Sequence, residues 1–85
     1  MLSSMAEASL LQRVERNPDI MLGKPVIKGT RITVEHILDL LSKGQTAEDI
    51  VREYGELKHE DVRAALAYAS LALGSDETHW ARAHA

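Results

Sequence analysis

Apolar residues return at helical spacing in three stretches of this chain, and each stretch carries its own start and stop signals. Val34, Ile37, Leu38 and Leu41 recur every three to four residues behind Thr33, a good N-cap, until Gly44, suited to the left-handed position that closes a helix. Thr46 followed by Asp49 reads as a capping box. Behind it Ile50, Val51 and Tyr54 form a short apolar face that stops at Gly55, with Glu48 and Asp49 at the positive end of the helix dipole. The third and longest helix is predicted from Lys58 or His59 to Gly74. Glu60 and Asp61 occupy its first turn, and Val62, Ala65, Leu66, Ala69 and Leu73 run down one face. Its many alanines (Ala64, Ala65, Ala67, Ala69, Ala72) keep it slim, which permits close approach of another helix from this domain or from a second subunit.

Before Gly29 the pattern changes. Pro18, Gly23, Pro25 and Gly29 lie too close together for a helix, whereas Leu11 to Arg16 and Val26 to Ile27 read as short strands, so residues 11–32 form an extended arm. Strands this short are marginal alone; the arm either pairs with the same arm of a second chain or lies on the helical core. Residues 1–10 add a helical turn or stay frayed, residues 33–74 form the three-helix domain, and residues 75–85 read as a polar, mobile tail in which Trp80 stands out. The fold class is therefore mostly α with a short N-terminal β arm.

Composition narrows the function classes. With 85 residues there is room for one domain and little room for a deep enzyme cleft. There is no Phe and only one Trp and two Tyr, so Leu, Ile, Val and Ala must build the core. No cysteine is present to staple it, and a core of this size supplies on the order of 3 to 5 kcal/mol, which points to a homodimer or an obligate partner. No apolar run approaches the ~18 residues needed to span a bilayer, and charged residues occupy the first twenty positions, so a cytoplasmic protein without a membrane partner is expected. Net charge is −3, with residues 1–44 at +1 and residues 45–85 at −4. The basic character is concentrated in residues 13–31, where Arg13, Arg16, Lys24, Lys28 and Arg31 outnumber two acids.

Catalytic arrangements are missing from the pattern. The four histidines (His36, His59, His79, His84) form no zinc-binding spacing, and no serine sits in a nucleophile elbow. The stretch from Leu22 to Arg31 offers glycines, lysines and a threonine, but not at phosphate-loop spacing. The carboxylates Glu48, Asp49, Glu53, Glu56, Glu60 and Asp61 read as solvated faces and dipole partners. No enzyme activity, cofactor or metal is expected.

The same stretch carries a resemblance. From Arg13 to Tyr68, with Asn17-Pro18, Gly23-Lys24-Pro25-Val26-Ile27, Gly29-Thr30-Arg31-Ile32, Glu48-Asp49-Ile50, Glu60-Asp61-Val62 and Ala64-Ala65-Leu66-Ala67-Tyr68, the chain resembles the domain-of-unknown-function 433 family. Two positions depart: Leu22 stands where a second Gly is common, and Lys58 where a capping Thr or Ser is common. The resemblance implies a small homeodomain-like, helix-turn-helix protein, an antitoxin of VapB type that neutralises a PIN-like toxin nuclease and binds promoter DNA. In such a motif the third helix enters the major groove. Here only Lys58, His59 and Arg63 suit phosphates beside Glu60 and Asp61, so the basic arm is expected to face DNA, doubled by dimer symmetry. Trp80 and Arg82 in the tail are the expected toxin contacts, an aromatic anchor beside a guanidinium for the nuclease carboxylates. The rival readings are a DNA-binding regulator without a toxin and a structural dimer module.

Overall fold

The computed structural model describes the backbone of residues 8–84 and the side chains of residues 8–74. Helix α1 (Val34–Ser42) starts where expected, with the Thr33 hydroxyl accepting the His36 backbone N–H at 2.9 Å, and it closes on Gly44 at a φ of 97°. Helix α2 (Ala47–Glu53) opens with a reciprocal capping box. The Asp49 N–H donates to the Thr46 hydroxyl at 3.1 Å, and the Thr46 N–H donates to the Asp49 carboxylate at 2.9 Å. The bonds to Thr46, the backbone one first, hold the Asp49 carboxyl below its ordinary value of 3.8, and Arg52 adds to the effect.

Helix α3 (His59–His84) breaks at Gly74, whose φ of 37° and ψ of −123° leave the helical region. The break falls where the glycine predicted an end, but helical backbone resumes over residues 75–84.

The arm is shorter in its strands than its sequence suggests. Residues 8–11 are helical, which places Leu11 at the end of a helical turn, and only β1 (Val14–Glu15) and β2 (Val26–Ile27) pair. They run antiparallel, Val14 opposite Ile27 and Glu15 opposite Val26, and Val26 also bridges Thr33. The arm lies on its own helical core, with Val26 0% and Ile27 2% exposed. Four paired residues carry too few ladder bonds to persist alone, and burial of the two β-branched side chains of β2 supplies the difference.

Ile27, Val34, Ile37, Leu40, Ile50, Leu57, Val62 and Ala65 form one core cluster. On α1, Leu40 is buried while Leu38 and Leu41 are half-buried. On α3 only the first part of the expected face is buried: Val62, Ala64 and Ala65 are buried, whereas Leu66 and Leu73 further along are 48% and 57% exposed.

Between Ile20 and Lys24 the chain makes a tight turn in which Met21, Leu22 and Gly23 all have positive φ, 49°, 60° and 80°. Leu22 projects almost wholly into solvent, so it gives no packing in return for a left-handed backbone. The position where a second Gly is common thus has a conformational reason to prefer one. Leu22→Gly is expected to raise stability by about 0.5 kcal/mol, the relief of strain exceeding the added freedom of the unfolded chain. A lower denaturant midpoint for the variant would contradict this.

Candidate nucleic-acid interface

The seven cations expected to meet DNA divide into those the fold uses and those it does not. Arg13, next to β1, donates from its guanidinium to the Asp61 carboxylate at 3.1 Å, joining the arm to the start of α3. Arg16 donates from Nε to the Gly23 carbonyl at 3.0 Å and so braces the left-handed turn. Lys24 pairs with Glu35 of α1 at 3.1 Å on the surface. Lys28, Arg31, Lys58 and Arg63 are exposed, and none of the ion pairs among the described residues involves them.

The turn after β2 is built, among the described residues, without the Arg31 side chain. Gly29 takes a φ of 83°, which a side chain would strain. The Thr30 hydroxyl donates to the Ile27 carbonyl at 2.8 Å and accepts the Ile32 N–H at 3.0 Å, while the Ile27 N–H reaches the Ile32 carbonyl at 2.9 Å. In the string Gly29-Thr30-Arg31, glycine and threonine build the turn; Arg31 stands exposed on it and builds nothing among the described residues.

This turn also lies beside the connection between α2 and α3. Ile20, Gly29, Thr30, Arg31 and Glu56 line one open cleft of about 460 Å³. The Lys28 N–H donates to the Arg13 carbonyl at 2.7 Å, Arg13 reaches Asp61, and the other Asp61 oxygen accepts the Lys58 N–H at 2.9 Å. Arm and third helix, which the sequence offered as alternatives, therefore meet at one carboxylate. Sequence reading missed that role: Asp61, taken for a solvated first-turn acid, is 5% exposed and turned inward. It supplies half a capping box to a helix whose Lys58 has no side-chain oxygen to supply the other half. The spacing Lys58-x-x-Asp61 was the available signal. At the opening of α3 this leaves Glu60 as the exposed acid beside Lys58, His59 and Arg63.

Away from this edge, His36 and Tyr54 join α1 to the end of α2 through a 2.9 Å hydrogen bond between the imidazole Nε2 and the phenol, with the rings edge to face at 5.7 Å. Trp80 and Arg82 lie beyond Gly74, where side chains are outside the described residues. Among the described residues no three His, Asp or Glu side chains converge as metal ligands, and no helix is long and apolar enough to cross a membrane.

A curated relative, the uncharacterized protein y4eO of Sinorhizobium fredii (strain NBRC 101917 / NGR234), is 32% identical over 62 residues. The match covers 73% of this chain and 28% of the relative, so the chain spans little more than a quarter of the length of that protein. No solved structure matches the chain. The model of a family described as protein of unknown function (DUF433) matches residues 14–69, from the first residue of β1 to the middle of the long helix. With the paired strands, the Gly29-Thr30-Arg31 turn and the helices up to Ala69 all inside that match, the chain belongs to the DUF433 family.

Proposed function

We propose that this chain is the antitoxin of a type II toxin–antitoxin pair, which binds its own promoter through the edge where the arm turn meets the start of α3. The observation that carries the DNA-binding half is the set of four exposed cations, Lys28, Arg31, Lys58 and Arg63, on elements linked through Arg13 and Asp61. Cations that no ion pair among the described residues engages are the ones available to release counterions from phosphates. On this reading α2 and α3 are the two helices of a helix-turn-helix, and the inward turn of Asp61 removes one of two acids that would face the groove. The toxin-binding half rests on the family resemblance and on Trp80 and Arg82, residue types that anchor interfaces.

Two measurements test it. Binding to the DNA upstream of the gene, followed by fluorescence anisotropy over a salt series, should weaken steeply with salt. Arg31→Gln should lower the salt slope by about one for each phosphate contact removed and weaken all DNA sequences alike, whereas Lys24→Gln, already paired with Glu35, should change little. Salt-independent binding, or none, overturns the DNA assignment. Co-expression with a neighbouring PIN-like nuclease should restore growth and yield a complex that is lost with Trp80→Ala. DNA binding without rescue would instead identify a regulator that has no toxin.

A further inference from the structure

The stripe that α3 buries does not stop where the core stops. Val62 and Ala65 are 1% and 0% exposed, and the same face continues through Tyr68, Ala69, Ala72 and Leu73 along an open groove of about 550 Å³ whose opposite wall is Val34 and Leu38 of α1. Leu73 in that lining is 57% exposed, and Leu66 and Leu71, on other sides of the same helix segment, are 48% and 60% exposed. From Ala64 to Gly74 there is no charged residue. A helix segment that is apolar on nearly every side normally has neighbours on more than one side.

We propose that this groove is the dimer seam, covered by the same surface of a second copy of the chain. Charge selects the occupant. The acids at the rim, Glu35 and Asp39, are already held by Lys24 at 3.1 Å and Lys43 at 3.0 Å, so a basic partner segment would have to break those pairs to gain new ones. The chain carries a net charge of −3, and two copies repel except where they are neutral; the stretch 64–74 is the neutral surface. Shape allows self-pairing as well. Leu73 is a ridge and Ala69 and Ala72 are a trough on one helix, so a two-fold crossing sets the leucine of each copy over the alanines of the other. The seam shares no residue with the cationic edge, and self-association and DNA binding can fail separately.

Light scattering on the full chain across a concentration series decides the matter. The expected mass is twice the 9.4 kDa of one chain. Leu73→Glu, a change at an exposed position, should keep the helical circular dichroism of the parent and raise the dimer dissociation constant at least about tenfold, since two carboxylates enter one apolar seam. Leu22→Asn, at a left-handed exposed turn away from the groove, should stay dimeric. Because the chain has no cysteine, Ala72→Cys places a single thiol in the seam, and a bis-maleimide should join two copies through it. If Leu73→Glu fails to fold, that cross-link is the deciding result. A monomeric parent chain, a Leu73→Glu variant as dimeric as the parent, or an Ala72→Cys variant that does not cross-link at dimer concentrations overturns the proposal.

Discussion

Asp61→Ala is expected to lower the unfolding free energy by about 2 kcal/mol, roughly 1 from the lost bond to the Lys58 N–H at the helix start and roughly 1 from the ion pair with Arg13. The pair is worth more than a typical surface one because the Asp61 side chain is only 8% exposed, and less than a fully buried one because Arg13 is 37% exposed. Against the ~3 to 5 kcal/mol expected of a core of this size the total loss is a large share, and the melting temperature should fall by about 10 °C. Two further variants separate the contributions. Asp61→Asn keeps an oxygen for the Lys58 N–H and loses the charge, and should lose about 1 kcal/mol. In Arg13→Gln the helix start keeps its acceptor, and adding Asp61→Asn to it should cost less than the two single losses combined, because both remove one interaction. Strict additivity in that cycle would mean that arm and helix are not coupled through this contact.

Ile37→Ala is expected to have the larger effect, about 3 kcal/mol, against about 1 for Ile37→Val. Ile37 is 0% exposed at the middle of α1, in the cluster that also holds Ile27 of the arm, Ile50 of α2 and Val62 of α3. One side chain thus touches a core assembled from every layer of the fold. The buried members of that cluster are all aliphatic and most are β-branched, with few rotamers by which to fill the space left behind, so most of the cavity penalty is expected to be felt. Chemical denaturation of the three proteins reads the graded series directly. A loss below about 1 kcal/mol for Ile37→Ala would mean that the core relaxes around the gap, and would contradict a tightly packed aliphatic centre.

Much of the helical architecture was legible because its signals are local. Thr33, Gly44 and the Thr46–Asp49 box act within one turn of the chain, and the helix starts at Val34 and Ala47 follow from them. The strands were legible only as a tendency. Whether Leu11 pairs or coils depends on what lies beside it, and the ladder closed on Val14–Glu15 alone. The candidate site was read as a list of cations, with no means of sorting them: Arg13 and Asp61 are 48 positions apart, and no pattern in either neighbourhood announces the bond.

Cap chemistry, apolar period and turn glycines in this chain are thus enough to specify three helices, their order and a proline- and glycine-punctuated arm, since each is settled by interactions among residues a few positions apart. Folding in three dimensions settled the rest. It turned Asp61 inward, tied down Arg13, Arg16 and Lys24, left Lys28, Arg31, Lys58 and Arg63 exposed, and carried Leu66 and Leu73 past the end of the core. Burial and ion pairing depend on distances between segments that are remote in sequence, and those distances exist only once the arm has docked on the helices.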